Sequence, residues 1–238
     1  MGAEWRLERG EETQKARHMA KNLCFEEIRA ALANQIVVGK ACLKISQGIW
    51  RADPVVLATA PIFFGLTLEG NLQLAQMYAA RLYDQTPGAI SIYSLIAEAR
   101  KWATGLPSEE RLAVLTSISE SEARIDELQP ILASITKRRN EAFAHLDSRT
   151  VRNPQRLNET ASLTVPDLSR VFAATGRLLS EISVLTRDVA SDFDLLGVDD
   201  YEMALSLISE AKCAQVENYE KEFGSPAPFE RPRNCPKS

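Results

Sequence analysis

Apolar residues recur along most of this sequence at the three- and four-residue spacing of amphipathic helices, and the alternation typical of strands is hard to find. A first helix is predicted from about Glu11 to Ser46, ending before Gly48 and Trp50. Its apolar face is formed by Leu23, Ile28, Leu32, Ile36 and Leu43. The pattern predicts an all-α protein.

Prolines and capping residues divide the rest of the chain into further helices. Asp53-Pro54 predicts an N-cap followed by the first residue of a helix that is kinked or restarted at Pro61 and ends near Tyr83. Ser119 with Glu122 resembles a capping box. Further helices are predicted over 91–103, from 107 or 108 to about Asp147 with a kink or restart at Pro130, over 164–189 and over 201–223. A polar connection over 148–165 is predicted to contain a break at Asn153-Pro154.

The helix beginning at Thr164 has the clearest apolar face of the chain. That face is formed by Leu168, Val171, Phe172, Leu178, Leu179, Ile182, Leu185 and Val189. The expected architecture is a single antiparallel helical bundle over residues 1–223. Residues 224–238 hold four of the eleven prolines and are predicted to be a disordered tail.

The sequence also predicts a soluble, cytoplasmic protein without membrane association. The stretch 54–68 is apolar but too short to span a bilayer, and we expect it to be a buried helix. The charged segment 1–18 predicts no signal peptide. The four cysteines have no metal-ligand spacing and do not resemble a secreted disulfide framework, which favours a reducing compartment.

Charge and motif content exclude several kinds of function. The formal net charge of −4 leaves no protein-wide basic field for nucleic acid, so any such binding needs a local patch. Phosphate-binding glycine loops of the two common spacings and the GxSxG nucleophile motif are absent. With only two histidines, His18 and His145, a histidine-based zinc site is not expected. No cofactor is predicted.

The segment 137–147, Lys-Arg-Arg-Asn-Glu-Ala-Phe-Ala-His-Leu-Asp, is the best candidate for chemistry. On a helix, Arg139 is the only charged residue of an apolar stripe, and a buried guanidinium is costly unless it is paired. The other members of the stripe are Leu128, Leu132, Ile135, Ala142 and Leu146. Residues 137–156 carry a net charge of +4 against −8 for the rest, which favours local anion binding.

This segment resembles the Arg-polar-(several residues)-His motif of the HEPN superfamily, through Arg139, Asn140 and His145. The continuation Ala-His-Leu-Asp is similar to the abortive-infection-U-type branch of that superfamily. The element Arg81-Leu82-Tyr83-Asp84 and the preceding apolar helix from Pro61 also resemble that branch. The resemblance covers roughly residues 11–190 and implies a HEPN-like helical bundle with additional helices.

The resemblance further implies a metal-independent endoribonuclease of a defence or toxin–antitoxin system. By that resemblance His145 is the general acid or base, Arg139 stabilises charge on the phosphate, and Asn140 binds the phosphate or orients the pair. Lys137 and Arg138 are the further candidates for binding RNA. The implied partners are RNA, a second copy of the chain and an antitoxin protein. Six residues of α-helix separate Arg139 and His145 by about 9 Å and about 120° of rotation, which also favours a cleft shared by two copies.

Structural alternatives remain open for each of these residues. His145 is equally explained as a histidine at a helix C-terminus. Arg139 is equally explained as an ion-pair partner of Asp84 or Glu141, while Asp84 has a nearer candidate partner in Arg81. Arg138 is either a rival for the catalytic arginine or a surface residue. The aromatic residues expected in the core are Trp50, Phe63, Phe64 and Phe172. The alternative function is a non-catalytic module that binds nucleotide, RNA or a protein.

Overall fold

The computed structural model describes residues 24–144, 155–187, 193 and 200–235. All regular secondary structure in these ranges is helical, which confirms the all-α class. A π-helix, Arg139–Ala144, follows α6 directly. The α-helices are α1 (Phe25–Arg51), α2 (Pro54–Leu57), α3 (Pro61–Leu82), α4 (Ile92–Ala103), α5 (Ser108–Glu127), α6 (Gln129–Arg138), α7 (Gln155–Thr160), α8 (Val165–Arg187) and α9 (Asp200–Phe223).

Two helix starts follow the capping signals predicted from the sequence. Asp53 Oδ1 accepts a hydrogen bond from Val55 N at 2.9 Å and caps α2, with Pro54 as the first helical residue. Thr164 caps α8, since its hydroxyl accepts from the Asp167 amide at 3.2 Å. The capping box predicted at Ser119 is wrong. Ser119 lies inside α5 and its hydroxyl donates to the carbonyl of Leu115 at 3.0 Å.

Two further boundaries differ from the predictions. Helix α1 continues through Gly48 to Arg51. The Tyr201 ring lies where a side chain at position 48 would be, so this glycine serves a close approach and not a helix end. The connection predicted over 148–165 contains the short helix α7. The predicted helix over 11–23 and the break at Asn153-Pro154 lie outside the described residues.

The chain forms two compact units, each built from two segments. Unit 1 comprises Met1–Gly39 and Gln76–Phe193, and unit 2 comprises Lys40–Ala75 and Asp194–Ser238. In unit 1, α8 packs against α4 and α5, and α4 packs against α5. The fully buried side chains here include those of Leu32, Ile36, Leu82, Ile92, Leu95, Ile118, Ile135, Leu168, Phe172, Leu179 and Ile182. The single domain proposed for residues 1–223 stays a prediction.

The apolar face predicted for α8 is largely confirmed. Its members from Leu168 to Ile182 are each at most 3% exposed, whereas Leu185 is 37% exposed. A buried hydroxyl pair crosses this core, since the Tyr83 and Thr175 oxygens are 2.8 Å apart. Burial raises the pKa of Tyr83 to about 12, so this phenol stays protonated and fixed in position.

In unit 2, α9 packs against α2, and several large apolar side chains remain exposed. The first turns of α3 do not form the buried helix predicted from their composition, because Ile62 and Leu66 are 78% and 70% exposed. Trp50 and Phe63 are exposed as well, contrary to prediction, while Phe64 and Phe172 are buried as expected. No helix in the described ranges is long and apolar enough to cross a membrane.

The segment after α9 has defined contacts as far as Cys235, in place of the predicted disorder. Cys235 forms a disulfide with Cys213 of α9, with their Cα atoms 5.6 Å apart, so the expectation that the cysteines form no disulfide is wrong for these two. Arg231 donates to a Glu220 carboxylate oxygen at 2.6 Å. The ring of Phe229 lies 5.7 Å from that of Tyr219. A cysteine, a cation and an aromatic ring supply contacts to this segment that its proline content does not reveal.

Candidate functional site

The described part of the apolar stripe predicted around Arg139 is present in unit 1, and Leu146 lies outside the described residues. Leu128, Leu132 and Ile135 are each at most 6% exposed, and they bring Arg139 to the same side at the junction of α6 and the π-helix. The side chain of Arg139 is 27% exposed. It is therefore half-buried at the end of an apolar seam, where a guanidinium needs partners.

Arg139 has two partners among the described residues. Its Nη1 donates to Asp84 Oδ2 at 3.1 Å, and its Nε donates to Asn140 Oδ1 at 3.1 Å. These bonds engage two different nitrogens of the guanidinium and fix its plane, because a carboxylate holds one nitrogen and an amide oxygen holds the other. This confirms the ion-pair alternative with Asp84. The ion pair between Arg139 and Asp84 lies in the wall of an open cavity.

Asp84 is held from its other side by the turn that follows α3. Its Oδ1 accepts from the Thr86 amide at 2.9 Å and from the Thr86 hydroxyl at 2.6 Å. Gly88, with φ of 88°, takes the left-handed conformation that this turn requires. The ion pair predicted between Arg81 and Asp84 does not form. Arg81 lies over the ring of Tyr78, 5.7 Å from its centroid.

The charge of Asp84 is favoured by its surroundings. Burial opposes the charge, but the Thr86 hydrogen bonds and the nearby Arg139 outweigh it and lower the pKa of Asp84 below its usual value. Asp84 is therefore ionised at neutral pH. It faces Arg139 as a fixed anion.

A cavity of about 760 Å³ opens beside this ion pair. It is lined by the turn after α3, by Tyr83 and Tyr93, and by α6 and the start of the π-helix. Asp84, Lys137, Arg139, Asn140 and Glu141 all contribute to its wall, so two acidic and two basic side chains surround the opening. Lys137 forms no ion pair within the described residues. The structure therefore places three of the predicted site residues around one opening.

Arg138 is separated from this group by its hydrogen bonds. Its Nε donates to the carbonyl of buried Ala161 at 2.7 Å, and its Nη2 donates to Asn158 Oδ1 at 2.7 Å. Burial lowers the pKa of Arg138, although a guanidinium remains charged at any pH that a protein tolerates. Arg138 thus joins α6 to α7 and to the residue that follows α7, and it does not line the cavity beside Arg139.

The π-helix coincides with the motif itself. Residues Arg139–Ala144 form i→i+5 hydrogen bonds, a geometry that is rare and frequent at functional sites. His145 and Asp147 follow directly in the sequence and lie outside the described residues, as does His18. Within the described residues, no group of His, Cys, Asp or Glu side chains is arranged to hold a metal ion.

Comparison with known proteins identifies the family. A HEPN family model described as AbiU2 matches residues 22–205, which is most of the chain. The chain belongs to the AbiU2 family of HEPN proteins. No curated protein and no solved structure matches it. The AbiU2 match includes α3, the Asp84 turn, α6 and the π-helix, so the whole described site lies inside the family region.

Sequence reasoning missed part of this AbiU2-family site. It offered both Arg81 and Arg139 as partners of Asp84 and gave Thr86 no role, although the Asp-x-Thr spacing before Pro87 is typical of a turn in which the carboxylate accepts bonds from the following backbone. It gave no role to Tyr93 or Gln129, which also line the cavity. Neither residue carries a local signal, because the cavity combines segments that are distant in sequence.

We expect Asp84→Asn to lower the free energy of unfolding by about 1 kcal/mol at neutral pH, because the amide loses the ion pair and directs a donor at Arg139. A carboxylate whose pKa is lowered in the folded state stabilises above its ordinary pKa, and this contribution is lost as pH falls through the lowered pKa. The difference from wild type should therefore be constant from pH 5 to 8 and shrink below about pH 4. Urea unfolding across this range measures it.

Asp126→Asn is the matched control for this measurement, since the side chain of Asp126 is exposed and makes no hydrogen bond or ion pair with the described residues. It should leave the unfolding free energy within a few tenths of a kcal/mol of wild type. A constant Asp84→Asn difference down to pH 2 would contradict the ion pair.

Proposed function

We propose that this chain is a HEPN-type endoribonuclease of a defence or toxin–antitoxin system that cleaves RNA without a metal ion. In the proposed reaction a ribose 2′-oxygen forms a bond to the adjacent phosphorus and the bond from phosphorus to the 5′-oxygen breaks. The products are a 2′,3′-cyclic phosphate and a 5′-hydroxyl. The observation that carries the proposal is a half-buried Arg139 held by Asp84 and Asn140 at the mouth of a cavity.

The proposed roles follow from the charges and donors at that opening. Arg139 stabilises the negative charge that grows on the phosphate oxygens, and its ion pair with Asp84 fixes the guanidinium before substrate binds. Asn140 orients Arg139 through its amide oxygen and retains an amide group that can donate to phosphate. Lys137 adds a second positive charge at the same opening. Arg138 has a structural role in this proposal.

His145 is proposed as the general acid or base, because imidazole is the side chain best suited to move a proton near neutral pH. It takes the proton from the 2′-hydroxyl, or gives one to the departing 5′-oxygen. The other proton transfer then requires a second group. Water can serve as that group, and the separation of Arg139 and His145 along one helix favours a site that takes each of them from a different copy, which makes a homodimer part of the proposal.

RNA is the proposed substrate, and an antitoxin protein that restrains the enzyme is the proposed partner. We propose that the chain acts on this RNA, and meets this partner, in the cytoplasm. The basic segment 137–156 fits RNA binding, because its charge is opposite to that of the rest of the chain. Binding through so few cations predicts a moderate salt dependence rather than the steep one of a broadly basic protein.

The test uses the purified full chain, EDTA and single-stranded RNA. We expect cleavage that leaves a 2′,3′-cyclic phosphate, detected by mass and by resistance of the 3′ end to phosphatase. The matched substrate has the same sequence with 2′-O-methyl groups, which removes the nucleophile while keeping the phosphates. It should remain intact. Cleavage of the methylated RNA, or cleavage that requires a divalent metal, would overturn the mechanism.

The pairing of Arg139 with Asp84 favours a second candidate function, a non-catalytic module that binds nucleotide, RNA or a protein. An arginine already neutralised by a carboxylate offers less charge to a transition state than a free one. Binding of the RNA with no cleavage of either substrate would select this candidate. Binding should then weaken in Arg139→Ala and persist in His145→Ala.

A further inference from the structure

The cavity beside Arg139 is larger than a phosphate group needs. Its volume of about 760 Å³ falls within the range of roughly 300–1,000 Å³ typical of small-molecule pockets. Its wall includes two tyrosines and several uncharged polar side chains in addition to the charged group. A cavity that serves only to bind an anion has no need for aromatic rings.

Tyr93 contributes an aromatic ring to this wall, and a neighbouring ring supports it. Its ring packs edge-to-face on that of Tyr83, with centroids 6.3 Å apart and planes at 77°. Tyr83 is in turn buried and bonded to Thr175 through its hydroxyl. Tyr93 is only partly buried, and its own hydroxyl makes no hydrogen bond to the described residues. One tyrosine is therefore fixed in the core, and the other rests on it at the cavity.

Amide and hydroxyl groups line the cavity near this ring. Gln85 and Gln129 are exposed, and they make no side-chain hydrogen bonds within the described part of the chain. Thr136 also lines the cavity. Amide groups of this kind pair with the edges of nucleobases, because each presents both a donor and an acceptor. Aromatic stacking and edge recognition are the two means by which proteins bind unpaired bases.

We infer that this cavity receives one unpaired nucleobase next to the phosphate at Arg139, stacked on Tyr93 and within reach of Gln129. The inference rests on the proposed function, because it assumes that the phosphate at Arg139 belongs to RNA. It narrows the substrate class to single-stranded RNA with an unstacked base at the site. A base inside an A-form duplex cannot enter the cavity without unpairing.

The test measures binding of fluorescently labelled, 2′-O-methylated RNA to the full-length protein, with three forms of the probe. These are a single strand, the same strand carrying abasic riboses, and a duplex. For wild type we expect the abasic strand and the duplex each to bind about 5- to 150-fold more weakly than the intact strand, which is the range for one stacked base. Equal binding of the intact and abasic strands would overturn the inference, as would equal binding of the duplex.

Variants at Tyr93 then assign the effect to this ring. Tyr93→Leu should weaken binding of the intact strand by the same factor and leave binding of the abasic strand unchanged. Tyr93→Phe retains the ring and should bind within about twofold of wild type. A Tyr93→Leu protein that binds the intact strand as wild type does would overturn the inference. The wild-type comparison of intact and abasic strands decides the matter without any variant if Tyr93→Leu fails to fold.

Failure of the inference and failure of the proposed function give different results. If RNA binds with an affinity that depends on Arg139 but not on the presence of a base, only the base site is wrong. If no RNA binds, or if Arg139→Ala changes nothing, the proposed function is wrong and the inference is overturned with it.

Discussion

Arg139→Ala is expected to lower the rate of RNA cleavage by about 10²- to 10³-fold, the range observed when one preorganised donor to a developing negative charge is removed. Its effect on stability should be small, since the side chain is a quarter exposed and the loss of the guanidinium leaves Asp84 held by Thr86. Initial rates at saturating RNA and urea unfolding of the same preparations measure the two effects separately.

Arg138→Ala is expected to give the opposite result. Its loss leaves the carbonyl of buried Ala161 without the bond at 2.7 Å, which should cost about 1–3 kcal/mol of stability. The folded fraction should retain nearly full activity, because Arg138 does not line the cavity. Arg177→Ala, at an exposed position of α8, is the control that should change neither quantity.

Comparing the activity and stability of the two arginine variants thus separates a role in the site from a role in the fold. If Arg139→Ala retains wild-type activity, the guanidinium meets no phosphate and the catalytic proposal fails. If Arg138→Ala loses activity at unchanged stability, the roles of the two arginines are exchanged. The sequence left this choice open because both arginines are next to one another, and periodicity alone places either on a plausible face.

Local chemistry explains why the helix starts were predictable. A cap depends on residues within one turn, so the caps at Asp53 and Thr164 could be predicted from the residues that directly follow each of them. The same holds for the buried face of α8, where each apolar side chain follows the helical period. The stripe that leads to Arg139 was predicted for this reason.

Features that depend on distant parts of the chain were not predictable in this way. The residue that approaches Gly48 is Tyr201, and nothing near position 48 indicates it. Hydropathy predicted that Phe63 would be buried, but burial depends on what packs over a residue, and the structure leaves Phe63 exposed. Composition likewise indicated disorder after α9, where Cys235 is bonded to Cys213.

The candidate site likewise combines features that local sequence predicts with features that depend on distant parts of the chain. Its arginine was found because a charge on an apolar seam requires a partner, whereas the choice of Asp84 over Glu141 depends on a contact across 55 positions of sequence. The π-helix at the motif had no signal, since its residues are ordinary helix formers. The family match covers the site but does not assign roles to its residues.

His145→Ala is expected to lower the cleavage rate by about 10²- to 10⁴-fold, the usual contribution of a positioned general acid or base. His18→Ala is the matched control, because it removes the only other imidazole in the chain and should leave the rate unchanged. RNA binding should survive His145→Ala, since an imidazole that moves a proton contributes little to holding the phosphates. Equal rates for wild type and His145→Ala would exclude this histidine from the chemistry.

Mixing the two inactive variants tests whether the cleft combines two chains. In a homodimer whose sites each take Arg139 from one copy and His145 from the other, a dimer of one Arg139→Ala chain and one His145→Ala chain retains one intact site of two. Since half of the randomly reassorted dimers are of this mixed kind, about a quarter of wild-type activity should return. A site built within one chain predicts no recovery, because every chain in the mixture then lacks one of its two groups.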